Sequence, residues 1–221
     1  PLGHVSVSEI NPRCLRNSIA DRTEVSFLPM AGVDEVWGRV KVGQVKPYGE
    51  VKKGFTYFKD GDVLFAKITS CMENGKAALV SGLKNGVGFG STEFHVLRAG
   101  DSATSEWLYA LVRLPVFREM AKSNFTGSAG QQRVPTEFLR NFSIPVPSLE
   151  LQLEFANDVQ MIFGHIERAV NSFEKFENLL SLLLHRAFTG ELTAKWREAH
   201  MKELLEEMKI QAKELKLEMP A

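Results

Sequence analysis

Cysteine is scarce in this chain, and long apolar runs are absent. Cys14 and Cys71 are the only cysteines among 221 residues, too few for the disulfide framework of a small secreted protein. We therefore expect two free thiols in a reducing cytoplasm. No apolar run reaches the roughly 18 residues of a membrane span, and the N-terminus lacks the layout of a signal peptide, so we expect no membrane partner. The chain starts without methionine, as expected of a processed chain or a fragment.

The sequence motifs of common enzymes are absent as well. Gly75, Lys76 and Ala77 lack the upstream glycine and the hydroxyl of a phosphate-binding loop. The segment GVGFG at residues 86–90 precedes a predicted strand, whereas a dinucleotide-binding turn precedes a helix. The five histidines are scattered and lack metal-ligand spacing. We therefore expect no catalytic residue, no metal site and no cofactor on this chain.

Charge is balanced overall but unevenly distributed. The formal net charge is zero. Residues 1–148 carry 18 Lys and Arg against 14 Asp and Glu, a net charge of +4, and residues 149–221 carry 9 against 13, a net charge of −4. The first part can face a polyanion such as DNA, and the second part should avoid one.

The sequence of residues 1–147 predicts one irregular mixed α/β domain. Short strands are predicted from alternation or from apolar runs between turns, at residues 38–45, 61–69, 76–83 and 91–98. Residues 104–122 predict a helix that is capped by Thr104 or Ser105 and interrupted at Pro115. Strands and helices do not alternate regularly, which favours the α+β class over a doubly wound sheet.

Residues 148–221 predict a helical region. Two prolines precede Ser148, which is suited to cap a long helix, and Gly190 is placed to end it. Apolar residues recur at alternating spacings of four and three, the heptad pattern of a coiled coil. This apolar seam consists of Phe155, Val159, Ile162, Ile166, Ala169, Phe173, Phe176, Leu180, Leu183 and Ala187.

Two partners could cover the apolar seam. A second helix starting near Thr193 could fold back on the first one as an intramolecular hairpin. The seam, however, would extend about 48 Å at 1.5 Å per residue, and the second helix is too short to cover it all. Another long helix must then pair with it, and we expect self-association of the chain.

The order of several segments resembles the specificity subunit of type I restriction–modification enzymes. The segments are GDVLFAKI (61–68), GKAALV (75–80), GSTEFHVLR (90–98), GSAGQQRV (127–134), LRNFSIPVPSLELQ (139–152) and LLLHRAFTGELTAKWRE (182–198). The resemblance covers roughly residues 40–198. It is carried by this order, including the Ile-Pro-x-Pro exit into a long helix, since no single segment is unique.

The resemblance implies a DNA-binding scaffold that catalyses nothing itself. Such subunits hold two target-recognition domains apart with an antiparallel pair of long helices, and each domain reads one half of a split DNA target. Methylation and restriction subunits dock on them and use S-adenosylmethionine, ATP and Mg. This chain has one recognition domain, so it is either half of a longer subunit or a natural half-subunit that pairs with itself.

Candidate DNA contacts lie in or beside the predicted loops. They are the polar or cationic residues Lys67, Thr69, Ser70, Lys76, Ser91, Thr92, Lys122, Asn124, Gln131, Gln132 and Arg133. Gln131 and Gln132 can each bond adenine through two hydrogen bonds, and Arg133 can bond guanine or a phosphate. Alternatively, the glycines at residues 127 and 130 serve a framework turn, and Arg133 pairs with an acidic neighbour.

Two other functions remain open from the sequence. The chain could be an autonomous dimeric DNA-binding protein without an enzyme partner. It could also be a coiled-coil adaptor whose globular head binds protein. A salt series distinguishes the adaptor, because binding through phosphates weakens steeply as salt rises.

Overall fold

The computed structural model describes residues 1–14, 19–38, 40, 44–128 and 130–215. By its internal packing the chain divides into two compact units, Pro1–Met161 and Ile162–Ala221. The division falls within one long helix, since Gln152 and Ala156 of its first turns are buried. The functional boundary at residues 147 and 148 stays a prediction.

Two four-stranded sheets form most of the first unit. Among the described residues the strands are β1 (Ser8–Ile10), β2 (Glu24–Leu28), β3 (Gln44–Pro47), β4 (Thr56–Lys59), β5 (Val63–Ala66), β6 (Ala77–Leu79), β7 (Val87–Gly90) and β8 (Phe94–Ala99). The first sheet is antiparallel with the order β1-β8-β5-β6. All four residues of β5 are buried, which accounts for the continuous apolar run in the sequence.

The second sheet has the order β3-β2-β7-β4, in which β2 and β7 are parallel and the other pairs antiparallel. Strand β7, which the sequence did not predict, contains residues Val87–Gly90 of the GVGFG segment. The strand expected after this segment, at residues 91–98, is β8. The ring of Phe58 lies against Gly88, where a Cβ would come within 2.2 Å of it. The glycine thus permits close packing between neighbouring strands.

The main core lies between the two sheets. Leu28 and Phe58 come from the second sheet and pack with Leu64, Phe94 and Val96 of the first, all at most 2% exposed. Burial of such side chains contributes about 1.5–3 kcal/mol each. The core thereby fixes the relative positions of the segments that follow β5, β7 and β8.

Helices cover the sheets and form the second unit. They are α1 (Tyr48–Val51), α2 (Thr69–Glu73), α3 (Ser105–Arg113), α4 (Pro115–Ser123), α5 (Thr136–Asn141), α6 (Leu149–Phe188), α7 (Ala194–Ala199) and α8 (Met201–Leu215). Within the described ranges, three short 3-10 helices occupy Met30–Gly32, Lys84–Gly86 and Glu191–Thr193. The predicted α+β class with a long C-terminal helix is confirmed.

Several local predictions agree with the structure. The hydroxyl of Thr104 accepts a hydrogen bond from the backbone N–H of Trp107 and caps α3. Pro115 separates α3 from α4. Of the strand predicted at residues 38–45, residues 39 and 41–43 lie outside the described residues, and Gln44 and Val45 form the start of β3.

Helix α6 ends as the sequence predicts, and its apolar seam is largely exposed. Gly190 adopts φ of 76° in the left-handed region just beyond the helix, a conformation that favours glycine. Ile162, Phe173, Phe176, Leu180 and Leu183 each expose between 42% and 70% of their surface. Phe155 is exposed as well, and Val159 and Ile166 are half-buried.

The intramolecular hairpin is not found in the second unit. Its second helical stretch is divided at His200 into α7 and α8, and within residues 162–215 these helices leave the exposed seam positions uncovered. In the described part of the chain, no helix is long and apolar enough to cross a membrane.

Candidate nucleic-acid interface

The glycine-rich segment forms a closed loop, whose described residues 126–128 and 130–133 we call the amide loop. The backbones of Thr126 and Arg133 exchange two hydrogen bonds of 2.8 and 3.0 Å that close the loop. The N–H of Gln131 donates to the carbonyl of Ser128 at 3.0 Å and makes a turn inside it. Gly130 has φ of 81°, a value that few other residues adopt at low cost.

The amide loop is attached to the segment that leaves strand β5. Ile68 and Arg133 form an antiparallel bridge. The carbonyl of Gln132 accepts hydrogen bonds from both the N–H and the hydroxyl of Thr69, each 2.9 Å long. The N–H of Val134 donates to the carbonyl of Lys67 at 2.9 Å. Lys67 and Thr69 therefore lie beside the two glutamines, although more than 60 residues separate these segments in sequence.

The turn between β7 and β8 is the third element at this site. Glu93 accepts two hydrogen bonds of 2.8 Å from the Nε and Nη2 groups of Arg133. The carbonyl of Glu93 accepts from the N–H of Lys67 at 2.9 Å, and its N–H donates to the hydroxyl of Ser91 at 3.2 Å. The acidic neighbour of Arg133 that the sequence left open is thus Glu93.

The ion pair stabilises the charged forms of both Glu93 and Arg133. The hydrogen bonds from Arg133 lower the pKa of Glu93 against the effect of its partial burial. The same hydrogen bonds raise the pKa of Arg133. Because the guanidinium and the carboxylate neutralise each other, Arg133 offers less net charge to a phosphate than a free arginine would.

The two glutamine side chains remain available. Gln131 is exposed and Gln132 is half-buried, and within the described residues neither amide side chain forms a hydrogen bond. Ser70 on α2 and Thr92 in the β7–β8 turn are also exposed, and they are the sequence neighbours of Thr69 and Glu93. The site therefore presents unpaired amides above a rigid base, an arrangement that can read the edge of a base.

A buried polar network supports the same surface from below. His95 of β8 is 2% exposed, and its Nε2 lies 2.8 Å from the carbonyl of Val134, which follows the amide loop. A carbonyl can only accept, so Nε2 carries the proton and Nδ1 accepts from the Nδ2 group of Asn11 at 3.1 Å. Asn11 also accepts through Oδ1 from the N–H of Val96. Burial lowers the pKa of His95 to about 4, so the ring is neutral at pH 7.

A family model described as the type I restriction modification DNA specificity domain matches residues 6–165. The chain belongs to this family. The predicted resemblance to type I specificity subunits is therefore confirmed, and the surface described above lies entirely within the matched part of the DNA specificity domain.

Individual relatives agree with this assignment. The chain is 37% identical over 183 residues to the specificity subunit of the type I restriction enzyme EcoAI of Escherichia coli, with 80% of this chain and 31% of that subunit covered. It is 42% identical over 142 residues to the EcoEI specificity subunit of Escherichia coli, covering 64% and 24%. The chain thus spans less than a third of the length of these curated relatives.

A solved structure shows the same fold. The HsdS subunit from Thermoanaerobacter tengcongensis superimposes with a TM-score of 0.54 over 67% of this chain and 38% of that one, at 22% sequence identity. The homologues of this chain are therefore specificity subunits of type I systems.

Three other candidate residues of the specificity domain already make contacts inside it. The ammonium of Lys76 lies 3.4 Å from the carbonyl of Met30. Lys122 pairs with Glu73 at 2.7 Å, and this contact raises the pKa of Lys122. The side chain of Asn124 donates to the carbonyl of Met120 at the end of α4. Of these, Lys122 remains more than half exposed and can still reach a phosphate.

Three residues that are not among the sequence-predicted candidates hold segments of this domain in place. Asn11 and His95 form the buried network, and Gln152 of α6 is 1% exposed. The Gln152 amide accepts from the N–H of Thr104 and donates to the carbonyls of residues 102 and 147. A polar residue within an apolar pattern, as at position 95, is the signal that could have identified such sites.

Proposed function

We propose that the chain is one DNA-reading half of a type I specificity subunit and carries no catalytic activity of its own. The observation that supports this most strongly is the convergence of the amide loop with Lys67, Thr69 and the β7–β8 turn, within the residues that match the DNA specificity family. Three segments distant in sequence meet there and leave the amides of Gln131 and Gln132 unpaired.

The side chains at this surface suit different parts of duplex DNA. In the major groove, a glutamine amide can donate a hydrogen bond to N7 of adenine and accept one from its N6 amino group. Lys67 and Lys76 supply positive charge for phosphates, and Lys122 can do so only by sharing its charge with Glu73. Ser70, Ser91, Thr92 and Asn124 provide hydroxyl and amide groups at the edges of the same region.

Arg133 is a weaker candidate for reading guanine than the sequence suggested. Three of its five N–H groups donate within the chain, to both oxygens of Glu93 and to the carbonyl of Gln131. A bidentate contact with guanine would require the guanidinium to leave this arrangement. We therefore assign base reading to Gln131 and Gln132 first.

We further propose that helix α6 pairs with α6 of a second copy. The exposed apolar seam, from Phe155 through Leu183 to Ala187, supports this proposal, because an apolar face of this length is normally covered. Antiparallel pairing about a two-fold axis would use the same face on both copies. It would place two reading surfaces about 48 Å apart, which is about 14 base pairs at 3.4 Å each.

The remaining partners follow from the proposed role. Methylation and restriction subunits of a type I system would dock on the chain in the cytoplasm. S-adenosylmethionine, ATP and Mg would then be bound by those subunits.

The proposal is tested by selection from a pool of duplexes that carry a randomised segment. The full chain should enrich a preferred sequence with two related halves, and binding should weaken steeply as salt rises. Enrichment of no sequence, or binding that is insensitive to salt, would overturn the assignment. Co-purification with a methylation subunit would then separate a restriction-modification role from that of an autonomous DNA-binding protein.

A further inference from the structure

The guanidinium of Arg133 joins two separate parts of the candidate surface. Through Nε and Nη2 it donates to Glu93 in the β7–β8 turn, and through Nη1 it donates to the carbonyl of Gln131 at 2.9 Å. One planar group thus connects that turn to the backbone that carries the exposed amide. Since a guanidinium offers its donors in a fixed fork, both contacts also fix the relative orientation of the two segments.

We propose that Glu93 is a positioning residue for sequence readout, which acts on the amides of Gln131 and Gln132 by holding Arg133 in place. This inference rests on the proposed DNA-reading function and goes beyond it. It assigns selectivity to an acidic residue that does not itself touch a base. Glu93 and Arg133 serve as a clamp, and the neighbouring glutamines serve as readers.

The residue that carries the carboxylate is itself well anchored through its backbone. The backbone of Glu93 is held by the hydroxyl of Ser91 and by the N–H of Lys67, as described above. The Glu93 side chain is 25% exposed and that of Arg133 is 40% exposed, so the pair lies at the surface rim of the site. Motion of the clamp would therefore be transmitted to the exposed loop more than to the buried core.

The position of a carboxylate here also argues for a clamp. An unpaired carboxylate beside a polyanion would oppose binding, and an unpaired arginine would add affinity for any sequence. The ion pair of Glu93 and Arg133 adds neither this repulsion nor this sequence-independent affinity. It supplies a rigid, nearly neutral attachment, and rigid placement of contact groups improves discrimination between sequences more than general affinity.

The decisive variant removes both charges together. The double variant Glu93→Gln with Arg133→Gln leaves the net charge of the chain unchanged, so long-range attraction to DNA is preserved. The matched control is Glu24→Gln with Lys84→Gln, which removes an exposed ion pair of 3.2 Å between the start of β2 and the 3-10 helix Lys84–Gly86. Both chains are compared with the unmodified chain on its selected duplex and on a scrambled duplex of equal length.

We expect the clamp variant to lose about tenfold in the ratio of selected to scrambled affinity, within the range for loss of a base contact. Its affinity for the scrambled duplex and the slope of its salt dependence should stay within about twofold of the unmodified chain. The control variant should keep the full ratio. A purely structural role for the pair would lower the melting temperature and leave this ratio unchanged in the folded fraction.

A second variant keeps the test decisive if the double variant does not fold. Arg133→Lys retains the charge but cannot make the fork or bridge Glu93 and Gln131 together, and it should lose selectivity by a similar factor. Full selectivity in either folded variant overturns the clamp. Equal losses on both duplexes overturn it too, because they would make Arg133 a phosphate contact. If the unmodified chain selects no sequence, the proposed function itself fails.

Discussion

Lowering the pH should destabilise the fold through His95, whose imidazole is 2% exposed. Burial lowers its pKa from the ordinary 6.5 to about 4, while the unfolded chain keeps the ordinary value. The unfolded state therefore binds more protons between these values. The contribution of neutral His95 to stability is fully present above pH 6.5 and is lost as the pH falls towards 4.

The size of this effect follows from the two pKa values. The gap between 6.5 and about 4 corresponds to about 3 kcal/mol in the free energy of unfolding. Between pH 7 and pH 5, about 2 kcal/mol of it should be lost. Lys67 opposes protonation of the ring and Glu93 favours it, but both effects are smaller than that of burial.

Urea unfolding of the full chain at pH 7 and at pH 5 measures this loss. The same measurement is made on a His95→Gln variant, in which the neutral amide can still donate to the Val134 carbonyl. Because other titrating groups contribute equally to both proteins, the informative quantity is the difference between their losses of unfolding free energy. The unmodified chain should lose about 2 kcal/mol more than this variant. A His185→Gln control, at an exposed position of α6, should match the unmodified chain. Equal losses in the His95→Gln variant and the unmodified chain would refute the reasoning.

Three further predictions concern readout, packing and assembly. Gln131→Ala should weaken binding to the selected duplex by about 1–3 kcal/mol and leave binding to a scrambled duplex closer to intact, as measured by mobility shift; equal losses on both would assign the loop to phosphates. Gln152→Ala should destabilise the fold by about 3 kcal/mol in urea unfolding, because it leaves buried backbone groups unpaired, whereas Gln160→Ala at the exposed surface should cost less than about 0.5 kcal/mol. Phe173→Glu should convert a dimer to a monomer in sedimentation analysis while Lys175→Glu does not, and an unmodified chain that is already monomeric at micromolar concentration would contradict the proposed pairing.

The helices could be predicted from the sequence because their signals are local. The cap at Thr104, the break at Pro115 and the end at Gly190 each depend on residues within about one helical turn. The short strands β1, β2, β4 and β7 were missed, since three to five residues are too few to show a period.

The candidate site could be predicted only in part. The segment carrying Gln131 and Gln132 was identified because glycines and amides together are unusual in a core. Between the strands predicted at 61–69 and 76–83 the chain forms the short helix α2, which the sequence patterns did not predict and whose residue Met72 is fully buried. That burial depends on neighbours far away in the chain, which residue patterns cannot reveal.

The sequence alone determined the family, the α+β class and the apolar seam of α6. Each follows from residue order or from a short repeating pattern, both of which are properties of neighbouring residues. Tertiary structure alone decided that Arg133 pairs with Glu93, 40 residues away, and that His95 supports the amide loop. Such pairings depend on strand register, and register is established when the two sheets bury their shared core.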